Sequence, residues 1–115
     1  MQNKLIVRAL NIFTNEFGPS KATKKVNSWD IQQNFGVVIQ VDSPIREQGV
    51  YIWLPLPKNE TLIPENAKKY LSKDGRHSNT YATAGLNKGH AALKLFIRTE
   101  AELNKCIKLV KEMTR

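Results

Sequence analysis

The chain has 115 residues, of which 41% are apolar and 24% charged, with a formal net charge of +8. That length suits one domain with a core of its own, and the composition is that of a folded globular chain, which excludes global disorder. No apolar run approaches the ~20 residues of a membrane span, the first residues lack the features of a signal peptide, and a single cysteine, Cys106, rules out an internal disulfide and suits a cytoplasmic setting.

Residues 4–17 predict the first helix. Leu5, Ile6, Ala9, Leu10, Ile12, Phe13 and Phe17 make one broad apolar face, with Lys4, Arg8, Asn11 and Asn15 opposite. Gly18-Pro19 ends it, since glycine turns the chain and proline cannot continue a helix. Three strands are expected next. Residues 26–31 form a short one, and residues 35–42 a β-branched, almost wholly apolar one. Residues 49–56 place Val50, Ile52 and Leu54 on one side and Tyr51 and Trp53 on the other, with Pro55 and Pro57 marking the strand end. The short polar connection between the last two strands predicts an antiparallel hairpin.

Pro64 in a first turn and Glu65 near an N-terminus predict a short helix over residues 65–72, broken by Asp74-Gly75. A glycine-rich polar loop then runs to His90, with a brief strand expected at residues 79–82. Residues 91–98 alternate, with Leu93, Leu95 and Ile97 on one side and Lys94, Phe96 and Arg98 on the other. Thr99 and Glu102 have the spacing of a capping box, in which each side chain satisfies a free N–H at a helix start. The helix that follows carries the apolar stripe Leu103, Cys106, Ile107, Val110 and Met113, so Cys106 reads as a small buried side chain. Strands grouped between terminal helices predict an α+β domain over residues 1–115. Its sheet is mostly antiparallel, and the N- and C-terminal helices pack on one face.

The positive charge is concentrated. Residues 61–99 hold seven basic and two acidic side chains, which is most of the excess. Such a field attracts polyanions, although solubility alone would also account for it. Two places offer contacts. On the sheet face opposite the helices, Tyr51, Trp53, Lys94, Phe96 and Arg98 interleave aromatics with cations, a pattern that stacks bases and neutralises phosphates. The competing expectation is that the loop over residues 75–89 covers these rings as a second small core. The loop itself carries Lys73, Arg76, His77, Ser78, Asn79, Lys88 and His90, with glycine-freed amides suited to phosphate.

His77 and His90 are also the ingredients of metal-independent RNA cleavage, one as base and one as acid. Lys24-Lys25 and Lys68-Lys69 read most simply as solvated surface charge. No C-x-x-C, H-x-x-x-H or H-E-x-x-H occurs, and no E-x-K, phosphate loop, nucleophile elbow or dinucleotide fingerprint, so no metal or cofactor is expected.

Asn87-Lys88-Gly89-His90, the strand from Leu93 to Ile97 and the helix from Glu100 to Val110 resemble the end of small bacterial domains of the MmcQ/YjbR-like kind and related uncharacterised defence-associated domains. There a loop with a lysine and an aromatic or His leads into a strand, and an acidic edge-loop leads into a final helix. The Gly18-Pro19 helix end and the strands near Phe35 and Tyr51 follow the same order. The chain departs from that pattern in its GRHSNTY loop and in Ala91-Ala92, where a tryptophan often stands. The resemblance implies a double-wing type α+β fold and DNA binding, with no established catalysis, and it transfers no catalytic residue.

Three functions are therefore weighed. The first is a non-enzymatic nucleic-acid-binding domain, for DNA over RNA. The second is a protein-interaction or regulatory module of a bacterial or phage system, binding an acidic partner. The third is a small nuclease using His77 and His90. No membrane partner is expected, and an unpaired edge strand leaves dimerisation open.

Overall fold

The computed structural model describes residues 4–42, 49–75 and 80–114. Helix α1 (Lys4–Phe17) is followed by strands β1 (Lys21–Ala22), β2 (Val26–Gln32), β3 (Phe35–Gln40) and β4 (Val50–Pro55). A 3-10 turn at Glu60–Leu62 leads to β5 (Ala67–Tyr70), and β6 (Ala92–Ile97) and α2 (Glu100–Met113) follow. The strands form one six-stranded sheet in the order β1-β2-β3-β4-β6-β5. Every neighbouring pair is antiparallel, so the domain is α+β with the hairpin of β3 and β4 as expected. Because β6 enters between β4 and β5, the short β5 becomes an edge.

Helix α1 buries Leu5, Ile6, Ala9 and Phe13. Gly18 ends it at φ 89°, and its N–H reaches the Thr14 carbonyl at 2.9 Å, a left-handed cap that a side chain would strain. At the start of α2, the Thr99 hydroxyl accepts from Glu102 N–H at 3.1 Å. The Glu102 carboxylate accepts from Arg98 N–H at 2.8 Å, one residue before the cap. The apolar stripes of both helices close on one sheet face with Val37, Ile39, Val50, Ile52, Leu54, Leu93, Leu95 and Ile97. Burial of this surface is the main stabilising contribution.

All six residues of β3 are buried, because its other face is covered as well. Residues 80–86 cover it. A Cβ on Gly36 would stand 2.4 Å from Thr83 Cγ2 and 2.9 Å from the Ala84 carbonyl oxygen, so only glycine lets the segment lie this close. The Asp30 carboxylate accepts from Ala84 N–H at 2.9 Å and fixes the same segment. Beneath it Val26, Val38, Trp53, Leu86 and Ala92 form a second core, with Tyr70 packed against it.

Two local expectations fail. Residues 65–72 do not form a helix: Pro64 and Glu65 precede a strand, β5, whose backbone pairs with β6 from Ala67↔Leu95 to Tyr70↔Ala92. Helix-start signals are local and weak, and a waiting sheet edge outweighs them. The strand expected at residues 79–82 is absent over Thr80–Ala82, where Thr83 N–H closes a turn on the Thr80 carbonyl, while Asn79 lies outside the described residues. Among the described residues no helix is long and apolar enough to cross a membrane.

Candidate nucleic-acid interface

Strand register decides which side chains meet on the face away from the helices. Tyr51 lies opposite Phe96 and Trp53 opposite Lys94, while Lys68 lies opposite Lys94 and Tyr70 opposite Ala92. Since successive residues of a strand point to opposite faces, β5, β6 and β4 together present Lys68, Tyr70, Lys94, Phe96, Tyr51 and Trp53 on one side.

The cations lie on the rings. Lys94 Nζ is 4.1 Å from the centroid of Tyr51 and 5.2 Å from that of Trp53. Lys68 Nζ is 5.0 Å from the Tyr70 ring, and the Arg98 guanidinium carbon is 5.2 Å from the Phe96 ring. The rings also pair across strands: Tyr51 and Phe96 stand 4.9 Å apart at 36°, and Trp53 and Tyr70 stand 5.0 Å apart at 49°. Phe96 sits low over the backbone of Gly49, where a Cβ would come within 2.5 Å of the ring. Lys68 and Arg98 are exposed, whereas Tyr51, Tyr70, Lys94 and Phe96 are half-buried.

Among the described residues, the cationic side chains of this face form no ion pair. The ion pairs among the described residues are Arg8–Glu100, Lys21–Asp30, Lys69–Glu60 and Lys111–Glu16, and none involves Lys68, Lys94 or Arg98. Lys68 and Lys94 are direct cross-strand partners, and like charges so placed destabilise a sheet. Among the described residues, each is offset by a ring beneath it, at about 0.5–1 kcal/mol where partly exposed.

Of the residues expected from sequence, Tyr51 and Lys94 are brought together, and Arg98 adjoins them through Phe96. Trp53 is corrected. It is 1% exposed in the second core, and its Nε1–H donates to Gln40 Oε1, so it offers no face to a base. Lys73, Lys88 and His90 are exposed. They follow Tyr70 or precede Ala92, and thus fall at the end of the β5–β6 pair remote from Arg98. His90 N–H closes a turn on the Asn87 carbonyl at 3.0 Å. Arg76, His77, Ser78 and Asn79 lie outside the described residues, and with them the His77 half of the histidine pair.

Sequence reasoning missed Lys68 and Tyr70 as members of this face, because it assigned them to a helix. Their spacing of two, with the cation and ring on one side, was the available signal.

Elsewhere, a cleft of about 750 Å³ opens between residues 62–66, β6 and α2, with Leu95, Cys106 and Leu109 among its apolar lining and Glu65, Arg98, Glu102 and Lys105 among its charged lining. Burial pushes the Cys106 thiol up to about 12, so it is protonated at neutral pH and a poor nucleophile. The Asp30 carboxyl is held below its ordinary value, first by the Ala84 N–H and then by Lys21. Its role is to seat the loop. Among the described residues, no group of three His, Cys, Asp or Glu is placed to hold a metal ion.

No family model, no curated protein and no solved structure matches this chain.

Proposed function

We propose that this is a non-enzymatic nucleic-acid-binding domain, for DNA in the first instance, that binds through the face formed by β4, β6 and β5 and the basic turns at its end. One observation carries the reading: Lys68, Lys94 and Arg98 form a row of cations resting on aromatic rings, and among the described residues none of their side chains is in an ion pair. Phosphates supply the missing negative charge, and bases match the rings. The net charge of +8 raises the encounter rate with any polyanion. The resemblance to double-wing type domains points the same way. An acidic protein would satisfy the cations but would have less use for the rings, so it ranks second.

The test is fluorescence anisotropy of labelled DNA at increasing salt. Affinity is expected at low salt, falling steeply as salt rises, and lost by tenfold or more in the Lys94→Ala/Arg98→Ala double variant. Absence of binding at low salt, or unchanged affinity in that variant, refutes the proposal. Labelled RNA and DNA incubated with and without EDTA are expected to remain intact, and turnover lost in His77→Ala would promote the nuclease reading instead.

A further inference from the structure

Resting on that nucleic-acid reading, we infer that the face selects single strands, with Lys94 serving as a placeholder on the ring that a base will occupy. The Nζ of Lys94 lies 4.1 Å from the Tyr51 centroid, over the ring that is also paired with Phe96 at 4.9 Å. A base stacked on an aromatic side chain is worth roughly two to three times a cation on a partly exposed ring. An arriving base therefore takes the ring, and the ammonium leaves it. The lysine stem is flexible and anchored in the middle of β6, so the displaced charge stays close.

Its destination is set by register. Lys68 is the direct partner of Lys94 across β5 and β6, and neighbouring strands lie about 4.8 Å apart, so both ammonium groups can converge on one phosphate. The opposed like charges, a liability in the free protein, become a clamp when an anion sits between them. Arg98, stacked on Phe96 toward the other end of β6, is placed for the next phosphate along the strand.

A duplex cannot use this arrangement. Its bases are stacked on one another and offer only edges in the grooves. It can bring phosphates to Lys68, Lys94 and Arg98, but no base face to Tyr51. The ring contribution is reserved for unpaired nucleotides.

The experiment compares a short labelled oligothymidylate with a duplex of equal length by anisotropy on the full chain at low salt. The single strand is expected to bind at least tenfold more tightly. Tyr51→Leu should reduce it to the level of the duplex, while Tyr51→Phe retains the preference. Lys68→Met should lower the slope of log K against log salt by about 0.7, the value of one lost phosphate contact on a single strand. Equal binding of the two forms, or single-strand affinity unchanged in Tyr51→Leu, overturns this inference and leaves nucleic-acid binding standing. Failure of both ligands to bind removes the parent reading. The wild-type comparison stands whether or not the Tyr51→Leu variant folds.

Discussion

Gly36→Ala tests the physical claim on which the candidate site rests, that the segment over residues 80–86 is seated directly on β3. The added Cβ would lie 2.4 Å from Thr83 Cγ2, 2.8 Å from the Trp29 carbonyl oxygen and 2.9 Å from the Ala84 carbonyl oxygen. None can yield cheaply. Thr83 is 2% exposed and cannot swing away, and the two oxygens are backbone atoms. Relief requires the segment to lift, which breaks the bond from Ala84 N–H to Asp30 Oδ1 at 2.9 Å and loosens Leu86 over Trp53. Overpacking of this kind costs about 1–3 kcal/mol, and the exposed hydrogen bond adds up to about 1 kcal/mol. Alanine restricts the unfolded chain and returns about 0.4–1 kcal/mol. Taken at the middle of each range, the net expectation is a loss of about 2 kcal/mol, or roughly 8 °C in Tm for a domain of this size. Urea unfolding followed by tryptophan fluorescence reads it, since Trp29 and Trp53 occupy separate cores. Gly75→Ala is the control: nothing lies within 4 Å of its Cβ and its φ is not positive, so it should be neutral or slightly stabilising. A Gly36→Ala variant within about 0.5 kcal/mol of wild type, the range of an ordinary surface change, refutes the seating.

Other consequences follow from single groups. Because the folded-state value of Asp30 is depressed, its contribution is present above the ordinary value of 3.8 and is lost as the pH falls below it toward the folded value. Asp30→Asn should therefore flatten the acid limb of the urea midpoint plotted against pH, and superimposable acid limbs would contradict this. Cys106, 1% exposed and with its thiol raised to about 12, should react with a thiol reagent at pH 8 only after unfolding. Rapid labelling of the native protein would show that the stripe of α2 opens. Thr99→Ala removes the acceptor for Glu102 N–H and should cost about 1 kcal/mol, with Thr99→Ser retaining most of it; an alanine variant as stable as wild type would mean that the cap contributes nothing.

The parts of the fold that were legible are those whose pattern is long and repeated. The apolar face of α1 gave its limits as residues 4–17, which are the limits observed. Both β4 and β6 alternate strongly enough that the inward sets Val50, Ile52, Leu54 and Leu93, Leu95, Ile97 are all in the main core. What was not legible depends on distant partners. Four residues, Ala67–Tyr70, are too few for periodicity to decide, and their conformation comes from pairing with β6, twenty-odd positions away. The glycine-rich stretch reads as exposed polar chain, yet Thr80, Thr83 and Leu86 are buried. In each case the deciding interaction is a close backbone approach that composition does not encode. Alternation assigned Trp53 and Tyr51 to the same face, and rightly. Whether that face is covered at a given rung is a tertiary fact, which is why one residue became core and the other stayed half open.

That division of the far face has a physical use. Its closed half is locked by Gly36, by Asp30 and by Trp53, whose indole donates to Gln40 within the core. The open half leans on the same indole, with Tyr70 5.0 Å from it and Lys94 Nζ 5.2 Å from it. The rings and cations of the open half thus rest on a support that does not have to be ordered when a ligand arrives. Ordering of interface side chains is a principal cost of association, at about 0.5–1.5 kcal/mol for each rotamer-rich side chain. Rings already held in place before a ligand arrives avoid part of that cost. That saving places the centre of the candidate interface on the sheet beside the glycine-rich loop.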